Sequence, residues 1–138
     1  MSVPALVLGK AGVILFTAGL AVGAAIPSLR NPRMGLSAHL TAVQGGLALM
    51  VFDLYWDRLG IAPWASTPLA WSLALSTYLL VAGLVLAAVT GASRALPIAG
   101  HGFNGTPSAE LTVSILTIGA SIWMLLVCLA VCGFLLAA

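Results

Sequence analysis

From Ala11 to Leu29, from Leu59 to Ser93 and again from Leu111 to Ala138 the chain carries no charged residue. A soluble domain has no surface to give to such runs, whereas a bilayer requires them: a hydrocarbon core of roughly 30 Å takes about 20 apolar residues per helical span. The whole chain agrees, with 62% hydrophobic and 6% charged residues and a mean hydropathy of +1.17 over 138 residues. Four spans with short connections nearly exhaust that length, so the sequence predicts one all-α domain, an integral membrane four-helix bundle over residues 1–138. The first apolar run is long enough to span and lacks the small-residue cleavage site of a secretory signal, and is read as a retained helix.

Prolines place the helix starts. Val3-Pro4, Asn31-Pro32, Thr67-Pro68 and Thr106-Pro107 each put a proline where its missing N–H costs nothing, in three cases after a side chain able to cap. The expected helices run from about 4 to 26, 32 to 56, 68 to 89 and 107 to 136. Gly19 and Gly23 form a GxxxG surface for another helix. Tyr55, Trp56 and Trp64 suit an interfacial aromatic belt.

Five basic and three acidic residues are too sparse for a surface that tracks phosphates, which argues against nucleic acid as a partner. Cys128 and Cys132 lie one turn apart in an apolar run, where packing is the ordinary role. No Walker loop, HExxH zinc motif or GxSxG elbow is present. The connections after the first and third spans hold Arg30, Arg33 and Arg94, against Lys10 and Arg58 on the other side. The positive-inside rule therefore puts those connections in the cytoplasm.

The polar residues that remain inside the spans are the candidates for chemistry. His39 lies two turns into the second span, and an imidazole there can hold a hydrogen bond through one nitrogen while the other accepts a proton or binds a metal. With Gly46, Met50, Asp53 and Asp57 it shares one helical face, which should point at the bundle interior or a subunit contact rather than lipid. Gly45 and Gly46 weaken the helix and open space for either a close helix or a flat ligand. Tyr78 is a candidate proton donor or substrate anchor, with a cross-helix hydrogen bond as its simpler role. The segment Gly91–Gly105 is the longest connection and the richest in glycine, which marks it as a functional loop.

Asn31-Pro-Arg-Met-Gly-Leu-Ser-Ala-His-Leu40 resembles the hallmark segment of bacterial hydroxylaminobenzene mutases. Thr77-Tyr78 with Leu86-Ala-Ala-Val-Thr-Gly91, and Leu96-Pro-Ile-Ala-Gly-His-Gly-Phe-Asn-Gly-Thr106, agree in order and spacing. That family turns N-arylhydroxylamines into aminophenols, and it is similar to membrane styrene oxide isomerases, which rearrange epoxides with a histidine-ligated haem b in a trimer. The resemblance implies an isomerase or mutase in the bacterial plasma membrane, a homo-oligomer acting on a small aromatic substrate. It implies haem b as cofactor with His39 as metal ligand and Tyr78 as a catalytic residue, and the room at Gly45 and Gly46 makes them candidate cofactor-binding residues. Where the isomerases usually carry asparagine six residues after the histidine this chain has Gly45, and where the mutases tend to have asparagine two residues after the tyrosine it has Leu80. Gln44 is then the nearest amide and a candidate catalytic residue, although it points about 100° away from the Gly45 position. Two other classes stay open: a non-catalytic haem protein with His39 and His101 both on the iron, and a scaffold subunit without cofactor.

Overall fold

A computed structural model describes residues 1–137 and contains no strand among them. Four long helical rods form the bundle: α1 (Val3–Ala25), α2 (Pro32–Tyr55), α3 (Pro63–Thr90) and a fourth rod made of α5 (Pro107–Ser114), a π turn (Ile115–Gly119) and α6 (Ala120–Ala137). A one-turn helix, α4 (Pro97–Gly100), interrupts the long connection. All four rods are long and apolar enough to cross a membrane.

The starts follow the caps. Ser2, Asn31 and Thr106 each accept the backbone N–H three residues on, with a proline at one of the first two helical positions. The third helix departs from the expected boundary. It begins at Pro63, so Pro68 lies inside it rather than at its start. Pro63 serves as the first-turn proline, and Pro68 removes the N–H that would otherwise bond Trp64 one turn back. The fourth rod also differs from a plain helix, through the π turn at which Thr117 packs over Gly83.

Lipid tails are as apolar as leucine, so close packing rather than burial from water selects which faces meet. α1 lies along α2 for nearly its whole length, and α3 is wedged against α1, α2 and the fourth rod. One core cluster holds Leu8, Leu15, Leu49, Trp56 and Leu73 near the chain's N-terminal end. A second, rich in small residues, joins Met34, Ala38, Ala87, Ala88 and Val113 at the opposite end. Trp56 is a correction to the aromatic belt: it is 2% exposed, its indole N–H donating to Ser66 Oγ at 2.9 Å. Trp64, 80% exposed, and Tyr55 keep the belt position.

Candidate functional site

The site grows out of the seam between α1 and α2. Gly9, Gly12, Gly19 and Gly23 line the face of α1 that α2 approaches, and a Cβ at any of them would collide with it. At Gly12 it would lie 2.7 Å from Gly46 O, at Gly19 2.9 Å from Ala42 Cβ, and at Gly23 2.6 Å from His39 Nδ1. The polar face of α2 read from the sequence therefore does turn inward, and α1 is what covers it.

His39 is half-buried, its ring seated in the space that a side chain at residue 23 would fill. Its Nδ1 is 2.7 Å from Gly19 O. A carbonyl oxygen only accepts, so Nδ1 carries the hydrogen and donates, and in the neutral ring the lone pair is left on Nε2. Nε2 has no hydrogen-bond partner among the described residues. An imidazole with one nitrogen tied to a backbone carbonyl and the other free is a pre-oriented ligand.

Tyr78 reaches α1 from the other side, its hydroxyl donating to Ala11 O at 2.8 Å. It lines an apolar cavity of about 620 Å³ between α1, α3 and α6, walled by Trp71, Trp123 and Ala74, with Lys10 and Ser72 supplying its polar edge. The donor hydrogen is committed to Ala11, so the hydroxyl's lone pairs are what remain for a ligand.

Gln44 and Gly45 face elsewhere. They line a cavity of about 280 Å³ with Thr41, Thr77, Leu80 and Cys128. A Cβ at Gly45 would meet Thr77 Cγ2 at 2.8 Å. At Gly46 the backbone of Phe16 comes close, its N 2.7 Å from where a Cβ would stand, so α1 takes up the space beside this glycine.

Within one chain the candidates do not form a single cluster. Gly19, which holds His39, and Ala11, which holds Tyr78, are eight residues apart on α1, roughly 12 Å along its axis. His101 is exposed on the loop after α3, its carbonyl bound by Arg33 Nη2, whereas His39 lies roughly 9 Å further down α2 than Arg33. No group of three or more His, Cys, Asp or Glu among the described residues is placed to hold a bare metal ion.

Sequence reasoning missed what the arginines and Glu110 do. Arg30 donates to Thr90 O at 2.6 Å and Asn104 O at 3.3 Å, and Asn31 Nδ2 to Ala99 O at 3.1 Å. Glu110, in the first turn of α5, is 6% exposed and accepts the backbone N–H groups of Ser93, Arg94 and Gly105 at 2.9 to 3.1 Å. The Gly91–Gly105 loop is thus gripped by its carbonyls from one side and its amides from the other. The available signal was an acidic residue just after a glycine-rich loop whose amides needed acceptors.

Residues 5–136 match the styrene oxide isomerase family. The chain is 36% identical over 118 residues to hydroxylaminobenzene mutase HabB of Ectopseudomonas oleovorans, covering 85% of this chain and 72% of that one. It is 36% identical over 110 residues to hydroxylaminobenzene mutase HabA of the same organism, covering 79% and 82%. No solved structure matches the chain significantly. With nearly its whole length matched and four membrane-spanning helices in place, the chain is an isomerase or mutase and belongs to the styrene oxide isomerase family.

Proposed function

We propose that the protein rearranges an N-arylhydroxylamine to an aminophenol within the bilayer, with His39 as the protein ligand to the iron of haem b. The substrate class follows the names of the two mutases, each 36% identical to this chain. The observation that carries the cofactor is the fixed tautomer of His39: Nδ1–H on Gly19 O, the ring on Gly23, Nε2 free. A single available donor suits a macrocycle that brings four nitrogens of its own, and does not suit a zinc or non-haem iron site, which needs several protein ligands.

The reaction is balanced without external redox input: the N–O bond breaks, a C–O bond forms on the ring, and the displaced ring proton ends on nitrogen. His39 would hold the haem, which would supply Lewis acidity for the departing oxygen. The chain supplies the rest. Trp71 and Trp123 offer aromatic walls to the substrate ring, and the apolar lining keeps water from capturing a cationic arene before rearrangement. Tyr78 Oη, its hydrogen held by Ala11 O, accepts from the substrate N–H.

A small substrate cannot span the roughly 12 Å between the His39 and Tyr78 anchors of one chain. The reading therefore includes a homo-oligomer in which His39 of one copy and the Tyr78 cavity of another face a shared site. Gln44, an exposed amide at the middle of α2 without a hydrogen-bond partner among the described residues, is the sort of group such a contact covers.

The test is turnover of N-phenylhydroxylamine by purified protein, with aminophenol as product and styrene oxide as the competing substrate. His39→Ala is expected to lower turnover by about 100-fold. Undiminished turnover in that variant, or conversion of styrene oxide alone, contradicts the proposal.

A further inference from the structure

Charge is lopsided at the end of the bundle that carries the clamped loop. Arg30, Arg33 and Arg94 are all exposed there, and none of them forms an ion pair among the described residues. Asp53 and Asp57 belong to the opposite end, where Asp57 accepts from the Ser2 N–H. Glu110, on the arginine side, is 6% exposed and has both oxygens committed to loop amides. Three guanidinium charges therefore reach the surface against one buried carboxylate.

The three arginines also stand close together and at one level. Asn31 N–H donates to Ala88 O at 2.9 Å, which sets the first turn of α2 beside the last turn of α3. Arg30 reaches across to Thr90 O and Asn104 O, and Asn104 shares a polar recess with Arg94. Arg33 lies in the first turn of α2 and holds His101 O. All three thus stand at or just beyond the ends of spans, at the height of the lipid headgroups rather than within the hydrocarbon. A guanidinium has several N–H donors, of which the loop uses only some from Arg30 and Arg33, and the Arg94 side chain donates to nothing among the described residues.

Beside this patch α4 is pinned by Asn31 Nδ2 on Ala99 O, and it turns Ile98 outward, 91% exposed. Spare donors of fixed positive charge match a phosphodiester, which accepts in the planar fork of arginine. A large apolar side chain exposed at the same level matches acyl chains. The charge balance asks for a phosphate that brings no cation of its own.

We propose that this patch binds an anionic phospholipid, its phosphate accepting from the arginines and its acyl chains passing Ile98. Phosphatidylglycerol has that phosphate and a net negative charge. Phosphatidylcholine has the same phosphate but cancels it with a trimethylammonium, which the surrounding guanidiniums repel. A bound headgroup bridges the arginines that hold the loop carbonyls, and so adds to the clamp.

Native mass spectrometry of the detergent-purified full chain, offered equimolar phosphatidylglycerol and phosphatidylcholine with the same acyl chains, reads the preference directly. The wild type is expected to retain phosphatidylglycerol about tenfold over phosphatidylcholine. Arg94→Gln removes a guanidinium that holds nothing in the fold, and should lower the preference about fivefold, the worth of one arginine at a membrane surface. Arg58→Gln, at the opposite end, should leave it unchanged. Inorganic phosphate in excess should displace no phosphatidylglycerol, because it has no chains to lie against Ile98. Equal retention of the two lipids by the wild type overturns the proposal, and that comparison needs no variant to fold. So does an equal loss in Arg58→Gln, in which case net charge alone is read, or full displacement by inorganic phosphate, in which case the patch takes a free anion.

Discussion

At the scale of residues, the unusual side chains are held by backbone rather than by one another. His39 leans on a carbonyl and on a missing methyl, Tyr78 on a carbonyl, Arg30 and Arg33 on loop carbonyls, Glu110 on loop amides. Each is then sensitive to a change elsewhere. Gly23→Ala leaves the imidazole chemically intact but places a methyl 2.6 Å from Nδ1, and should cut haem occupancy about tenfold, read from the ratio of Soret to protein absorbance in helical, folded protein. Glu110→Gln replaces an acceptor of three backbone donors by a group that is half donor, and should lower unfolding free energy by about 2 kcal/mol in a denaturant titration. His39 and Tyr78 were legible in the sequence because a polar group in a span must find a partner or a purpose. The work of Glu110 was not, because its three partners come together only when the loop folds back over α5. Trp56 misled for the opposite reason: its position near a helix end suggested the membrane surface, and only Ser66 across the turn explains its burial.

At the scale of elements, the α1–α2 seam is where glycine matters most, and the glycines differ in what they tolerate. At Gly46 a methyl would meet Phe16 N at 2.7 Å and Gly12 O at 2.8 Å, both backbone, so the helices must part for it. Gly46→Ala should destabilise by about 2 kcal/mol. Gly133, with nothing within 4 Å, is the control, and Gly133→Ala should be neutral or stabilise by up to about 1 kcal/mol. Thermal unfolding of both variants in one detergent settles the contrast. The GxxxG pattern announced a close helix contact but not its partner, since GxxxG serves contacts between copies and contacts within one chain alike. The structure spends Gly19 and Gly23 on α2. The early start of α3 was hidden because two prolines, Pro63 and Pro68, compete for the same first-turn role.

At the scale of the molecule, four spans put both chain ends on one side and the two clamped connections on the other. Composition alone fixed that much, because charge-free runs of this length have no other solvent. Three arginines belong to the clamped side, which the positive-inside rule predicts to be the cytoplasmic one. Alkaline phosphatase inserted at Gly102, an exposed loop glycine, is expected to be inactive, and fused before Ser2 to be active in the periplasm. The candidate site is less legible at this scale, because two of its anchors, Gly19 and Ala11, sit at different depths of the same helix. The central claim is that His39 presents a free Nε2 to an iron cofactor, and the visible absorption spectrum of detergent-purified wild type and His39→Ala tests it most directly. A stoichiometric Soret band that shifts on adding imidazole, and that His39→Ala abolishes, is the expected result. A colourless wild type expressed with ample haem, or an identical spectrum in the variant, would contradict it.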